Sequence, residues 1–171
     1  MTSIIRVDSI KTAANGTATA ASLGIGGTGK IGQVVQVTDA TTFSTTSSSY
    51  VDVTGVTASI TPTATSSKVL VMIQGSTNNS TVSSELSRLK LLRGSTAIGV
   101  ANTTHDSFFN TYGVSNVAIS FTTLLLDSPA TTSSATYKLQ VKQSGSSTAY
   151  VGGFGSGDEA ITTLTLMEIL A

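Results

Sequence analysis

The stretch "ATYKLQVKQ", residues 135–143, alternates between apolar and polar side chains from Ala135 to Lys142. Such an alternation places successive side chains on opposite faces of a β-strand, so one face can be buried while the other meets water. The pattern predicts a strand with Tyr137, Leu139 and Val141 facing inward. Lys138, Gln140 and Lys142 then face outward.

The same period of two recurs on both sides of this stretch. Runs of this kind are "IGQVVQV" (31–37), "YVDVTGVTASI" (50–60), "KVLVMIQG" (68–75), "VSNVAISFTTLLLD" (114–127), "AYVGGF" (149–154) and "ITTLTLMEIL" (161–170). Gly55 indicates a bulge or bend in the second run. "KVLVMIQG" is apolar at consecutive positions from Val69 to Ile73, which predicts a central strand covered on both faces. Val117, Ile119 and Phe121 are expected on one face of their strand.

Turn residues separate these runs, around Pro62 and in "DSPATTSS" (127–134). About eight or nine strands separated in this way are typical of a sandwich or jelly roll. We therefore predict an all-β protein, a jelly-roll-like antiparallel β-sandwich formed by residues 31–171.

Two segments are harder to assign. Residues 84–93, "SELSRLKLLR", fit a short helix as well as a strand followed by the turn "RGST", and we favour the strand with its hairpin. The segment "ANTTHDSFFNTYG" (101–113) is predicted to be an exposed loop. Its aromatic residues Phe108, Phe109 and Tyr112 are candidate contacts for a receptor or a partner, such as sugar rings or a neighbouring subunit, while local packing is an equal alternative.

Residues 1–30 differ from the rest of the chain and are predicted to form an extended N-terminal anchoring arm with a glycine hinge. The arm has one short apolar run, and a segment that buries so little is ordered by a partner or not at all. Its anchoring residues are Ile4, Ile5, Val7 and Ile10, and the hinge residues are Gly24, Gly26, Gly27 and Gly29.

The hinge glycines match two phosphate-binding motifs, G-x-G-x-x-G and part of a P-loop. Both motifs need a helix after the loop, because the phosphate rests on the helix N-terminus. Here a strand is predicted from Ile31, and Ile31 also stands where a P-loop has Ser or Thr after Lys30. A flexible joint is therefore favoured over a nucleotide site.

The composition argues against several functional classes. Nine basic residues balance nine acidic ones, which offers no electrostatic basis for nucleic-acid binding, and there is no cysteine. We find no membrane-spanning run, and neither a cofactor nor a metal site is expected.

Candidate catalytic residues are isolated in the sequence. His105, beside Asp106, is the sole histidine and is expected to be a loop residue. The match "SRLK" (87–90) lacks the companion motifs of serine acyl enzymes and is expected to be a coincidence. Asp158-Glu159 lies in a predicted turn and is expected to be a solvated loop tip. The chain is expected not to be an enzyme, and no residue is assigned a catalytic role.

Several short blocks in a fixed order resemble a known family. They are "GQVVQV", "YVDVTG", "SITPTATSSKVLV", "LLRGST", "LLLDSPATTSSATYKLQV" and "TLTLMEI", with "IIRVDSIK" near the start. Together they resemble virion structural and tail-fibre-like appendage proteins of marine tailed bacteriophages of the cyanophage type. The resemblance implies a jelly roll similar to the C1q/tumour-necrosis-factor module, assembly as a homotrimer, and no catalytic residues.

These expectations lead to two functions that remain open. In the first, the chain is a virion protein whose homotrimer forms an exposed appendage, a short tail fibre or host-contacting tip that binds other tail proteins and a host surface glycan. In the second, it is a capsid decoration or cement protein bound to the major capsid protein. Both place it on the virion exterior, and a carbohydrate-active enzyme is a minor third possibility because paired carboxylates are missing.

Overall fold

The computed structural model describes residues 29–80, 85–100, 106–112, 117–154 and 158–171. These ranges contain eleven β-strands and no helix. The strands are β1 (Ile31–Asp39), β2 (Phe43–Thr45), β3 (Val51–Ile60), β4 (Lys68–Asn79), β5 (Leu86–Arg93), β6 (Thr96–Ile98), β7 (Phe109–Tyr112), β8 (Ile119–Asp127), β9 (Ala135–Gln143), β10 (Ala149–Val151) and β11 (Thr162–Ile169). The all-β prediction is confirmed.

The strands form two antiparallel sheets. The six-stranded sheet has the order β1-β11-β4-β10-β2, with β8 on the other edge of β4. The five-stranded sheet has the order β3-β9-β5-β6, with β7 also paired to β5. Both sheets therefore combine strands from distant parts of the chain, consistent with the predicted jelly-roll-like sandwich.

The core lies between the two sheets. Tyr137, Leu139 and Val141 of β9 are fully buried, as the alternation predicted, and they belong to one apolar cluster with Val71 of β4 and Leu164 of β11. Lys138, Gln140 and Lys142 lie on the opposite face of β9 and remain partly accessible. Strand β9 lies inside its sheet, between β3 and β5.

Residues 86–93 form β5 and pair with β6 through the predicted turn, so the hairpin is confirmed and the helix alternative is wrong. The segment 101–113 is only partly described, but its residues 109–112 form β7 against β5, so this part is not the predicted loop. These residues form a strand because they pair with the edge of β5, and a local sequence pattern does not show such a distant pairing.

Strand β4 is central, but its outer face is not covered within one chain. Val69, Val71 and Ile73 face the core, while Met72 on the other face is 39% exposed. The expectation of cover on both faces is therefore wrong for the single chain. Val117 also departs from its prediction, since it precedes β8 and is exposed rather than aligned with Phe121 in the core.

Gly55 occupies the predicted irregularity in β3. The pairing of β3 with β9 shifts register between Asp52 and Thr57, and Gly55 has a φ of 87°. A Cβ at this position would overlap with the carboxylate of Asp39 on β1. Gly55 therefore serves two needs, a left-handed backbone and a close approach of β1.

Candidate interaction surfaces

The outer face of the six-stranded sheet carries an apolar surface built from four strands. Register places Val34, Met167, Leu70 and Leu126 side by side across β1, β11, β4 and β8. The next row holds Gln36, Thr165, Met72 and Leu124. We call the apolar members of these two rows the apolar face: Val34, Leu70, Met72, Leu124, Leu126 and Met167.

The apolar face is exposed in the single chain. Leu124 is 61% accessible, Val34 54% and Leu126 50%. Both rows contain only uncharged residues, and their polar members Gln36 and Thr165 hydrogen-bond each other, with Gln36 Nε2 donating to Thr165 Oγ1 at 2.9 Å. With strands about 4.8 Å apart, each row is about 14 Å long. In other proteins, large exposed apolar surfaces are commonly sites of association.

The outer face of the five-stranded sheet is polar and centred on Asp106. Lys90 Nζ and Tyr50 Oη donate to the Asp106 carboxylate at 3.0 Å each, and Lys142 Nζ lies 3.5 Å and Arg88 Nη1 3.9 Å from it. The two ammonium groups also lie over the Tyr50 ring, 3.7 and 4.4 Å from its centroid.

These contacts shift the pKa values of Asp106 and Tyr50 in opposite directions. Burial opposes the charge of Asp106, but the hydrogen bonds from Lys90 and Tyr50 and the lysine charges prevail and lower its pKa. Burial and the adjacent carboxylate raise the pKa of the Tyr50 hydroxyl. Asp106 is therefore an acceptor that holds its segment to β5 and β9, and the cations around it are already engaged.

Glu168 is a buried carboxylate that the sequence reasoning missed. It lies in β11 at an inward position and accepts hydrogen bonds from Gln33 Nε2 (2.8 Å) and from the N–H and hydroxyl of Thr63 (2.6 and 2.7 Å). Burial alone would raise the pKa of Glu168, but the hydrogen bonds from Gln33 and Thr63 outweigh it and lower the pKa to about 2. Its signal in the sequence is an acidic residue in phase with Leu164 and Leu166.

The Ser87 and Lys90 of "SRLK" lie on opposite faces of β5. Ser87 is buried between the sheets, where its hydroxyl donates to Asn79 and to Gln143, while Lys90 lies on the outer face beside Asp106. Activation of the serine by this lysine would need both groups on one face. The structure therefore does not bring the serine and the lysine of this motif together.

The predicted aromatic contacts occupy two environments. Phe108 and Phe109 are half-buried and pack on the core residue Phe121, with ring centroids 6.1 and 5.9 Å from its centroid. This is the local packing considered as the alternative for both. Tyr112 is 62% exposed at the end of β7. A receptor contact through these residues stays a prediction.

Most of the predicted arm and hinge lies outside the described residues: Ile4, Ile5, Val7, Ile10, Gly24, Gly26 and Gly27, and so does His105. Gly29 is described. It has a φ of 83°, its N–H donates to the carbonyl of Leu170 at 2.6 Å, and β1 begins two residues later. A strand therefore follows the glycines, where both phosphate-binding motifs need a helix.

Among the described residues, no group of three acidic or histidine side chains is arranged to hold a metal ion. No helix in that part of the chain has the length and apolarity to cross a membrane.

Comparison with known proteins adds no assignment. No protein-family model matches the chain, and no curated protein is detectably similar to it.

Proposed function

We propose that this chain is a non-enzymatic virion structural protein of a tailed phage, in which three copies form an exposed appendage such as a short tail fibre or host-contacting tip. The observation that carries the proposal is the apolar face. A surface with Leu124, Leu126 and Val34 each at least half exposed is poorly suited to a chain that stays single in water. Identical copies can cover such faces within one closed assembly.

Three copies of the sandwich would each bury the apolar face against a neighbour. The charged outer face around Asp106 would stay in water, because its ion pairs already satisfy its charged groups and desolvating them would be costly. The two sheets thus divide the roles, one for assembly and one for exposure.

Residues 1–30 supply the anchor in this proposal. The chain enters the sandwich at Gly29, beside the end of β11, so the arm leaves from the edge formed by β1. An arm at an edge can dock on another virion protein without disturbing the core between the sheets.

A capsid decoration protein bound to the major capsid protein is the second candidate. It is favoured by the position of β1, which begins at Ile31 and leaves no shaft between the glycine joint and the sandwich. An appendage that projects far from the particle usually contains such a shaft, whereas a protein lying on the capsid surface does not need one.

Localisation on the virion tests both functions. Cryo-electron microscopy of purified particles, with immunogold labelling by an antibody against the sandwich, is expected to place the protein on the tail. Density at the threefold positions of the capsid lattice would support decoration instead. If purified particles lack the protein, both functions are refuted.

A further inference from the structure

The outer face of the five-stranded sheet carries more positive than negative charge. Cross-strand neighbours in an antiparallel pair point to the same side of a sheet, so the register shows which charged residues share this face. Its described cations are Arg88, Lys90, Lys138 and Lys142, and its described carboxylates are Asp52 and Asp106. Lys138 Nζ lies 2.8 Å from the Asp52 carboxylate, so these two charges form one closed pair.

The remaining three cations share the single carboxylate of Asp106. Lys90 Nζ is the nearest, at 3.0 Å. Lys142 Nζ lies 3.5 Å and Arg88 Nη1 3.9 Å from Asp106, which is longer than the about 3.2 Å of a good N–H···O hydrogen bond. Lys90 is therefore the main partner of Asp106, and the excess positive charge lies at Arg88 and Lys142.

Arg88 and Lys142 are direct cross-strand neighbours on β5 and β9. Two like charges placed opposite each other in this way are destabilising, and an anion bound between them would remove the repulsion. Their side chains are 29% and 22% accessible, so an anion can reach them from solvent without displacing the Asp106 segment.

Strand β7 brings uncharged groups to the other side of Arg88. Asn110 is the cross-strand neighbour of Arg88 on β7, and Tyr112 lies two residues further along the same face. Both side chains are exposed, Tyr112 at 62%. Ser107 Oγ donates to Asn110 Oδ1 at 2.6 Å, which fixes the amide and orients its N–H donors.

These residues form one continuous surface, which we call the outer cluster: Tyr112, Asn110, Arg88 and Lys142. With strands about 4.8 Å apart, the row from β7 through β5 to β9 is about 10 Å long, and Tyr112 lies about 7 Å from Asn110 along β7. The outer cluster therefore combines an accessible aromatic ring, an amide and two cations within reach of a single small ligand.

We propose that the outer cluster binds an acidic sugar residue of a host-surface polysaccharide, one that carries a carboxylate or a sulfate group. The ring of Tyr112 packs on the C–H face of the sugar, and the Asn110 amide donates to a hydroxyl. Arg88 and Lys142 bind the anionic group through charge-assisted hydrogen bonds. The inference rests on the proposed host-contacting function, because it gives the exposed face of the appendage its ligand.

Nucleic acid is the competing polyanion for a basic surface. Its binding draws on many phosphate contacts and the release of their counterions, whereas Arg88 and Lys142 supply an excess of only two charges. Binding of single strands also uses a series of aromatic residues, and the outer cluster has one exposed ring, that of Tyr112. Few charges beside one ring and one amide fit a single acidic sugar better.

Isothermal titration calorimetry on the full-length protein tests the proposal. The probes are oligogalacturonate, which carries carboxylates, dextran sulfate, which carries sulfates, unmodified dextran and a short DNA duplex, each added alone. At least one of the two acidic saccharides is expected to bind, and added salt is expected to weaken that binding. Unmodified dextran is expected not to bind, since it lacks the anionic group.

Variants of the outer cluster locate the site. R88Q is expected to weaken binding about tenfold, which corresponds to the loss of one hydrogen bond from a charged donor. Y112S is also expected to weaken it, whereas Y112F keeps the ring and should retain binding. The Tyr112 variants keep the test decisive if R88Q fails to fold, because this side chain is largely exposed.

K68Q is the matched control. Lys68 is an exposed lysine of β4 in the other sheet, so its loss changes the total charge equally and is expected to leave binding unchanged. The proposal is overturned if neither acidic saccharide binds, if the DNA duplex or unmodified dextran binds as tightly as they do, or if Y112S and K68Q behave alike.

Light scattering on the same samples separates this result from the proposed function. A trimer that binds neither acidic saccharide refutes the outer cluster as a sugar site only. A monomer that binds one of them supports the site and counts against the trimeric appendage.

Discussion

Replacing Leu124 with serine tests the role of the apolar face most directly. Full burial of a leucine side chain contributes up to about 3 kcal/mol, and 61% of Leu124 is still exposed in the single chain. Covering that fraction in an interface is worth about 1.8 kcal/mol per copy and about 5 kcal/mol for three copies. The substitution is expected to remove this contribution from the trimer.

The loss translates into a concentration shift. At about 1.4 kcal/mol per factor of ten, 5 kcal/mol lowers the trimer association constant by about 3.6 decades. The trimer association constant scales as the inverse square of the concentration at which half of the trimer dissociates. That concentration therefore rises by the square root of the loss, about 60-fold. Size-exclusion chromatography with light scattering over a dilution series measures this shift.

Tyr112→Ser tests the competing surface, because Tyr112 is the exposed member of the candidate receptor or partner contacts. Tyr112 is 62% exposed, nearly the same fraction as Leu124, but it lies in β7 at an edge of the other sheet. It is expected to leave the dilution series unchanged. Urea unfolding of dissociated L124S should match that of dissociated unmodified protein, because Leu124 contacts mainly water in the single chain.

Three results would refute this reasoning. The unmodified protein could remain a monomer at the highest concentration, which removes the trimer. Y112S could weaken association as much as L124S, which places the interface on another surface. L124S could also leave the trimer intact, which shows that the apolar face is not part of the interface.

Three further predictions concern the stability of the sandwich. Leu139→Ala should lower the free energy of unfolding in urea by about 3 kcal/mol because it leaves a cavity in the core, and a loss below 1 kcal/mol would contradict the packing described for β9. Glu168 has a folded-state pKa of about 2 against 4.5 ordinarily, so the unfolded chain takes up the proton first as the pH falls. The stability that this carboxylate contributes is therefore lost between about pH 4.5 and pH 2. E168Q should show a shallower loss of stability in that window, and a pH profile identical to that of the unmodified protein would refute the lowered pKa. Gly55→Ala should destabilise by about 2 kcal/mol or more because it combines a left-handed backbone with overlap on Asp39, whereas Gly94→Ala, with a φ of 59° and no atom near the added Cβ, should cost only about 1 kcal/mol; equal losses in thermal or urea unfolding would exclude the overlap.

Much of the local structure follows from alternation. The inward positions Tyr137, Leu139 and Val141 and the hairpin after Arg93 could be predicted because the side-chain period of two and the turn residue Gly94 are both local. Gly55 also indicates the irregularity in β3, because a glycine inside a strand pattern is typical of a bulge or bend. The exposure of Met72 could not be predicted from the sequence pattern, since a run that is apolar at consecutive positions does not say what lies over its second face.

The candidate sites were less accessible to sequence reasoning. Phe108 and Phe109 stand in a polar segment, and only the contact with Phe121 shows that they extend the core.

The class of fold, the strand-forming segments and the inward side of most of them follow from local sequence, because each depends on neighbours within a few residues. Which strands pair is visible only in the folded structure. Val34, Leu70, Leu126 and Met167 come from four separate segments, and only the register of β1, β11, β4 and β8 joins them into the apolar face. The same non-local pairing places Asn78 of β4 beside Tyr150 of β10, since hydrogen-bonded neighbours in a sheet are chosen by the whole fold and not by adjacent residues.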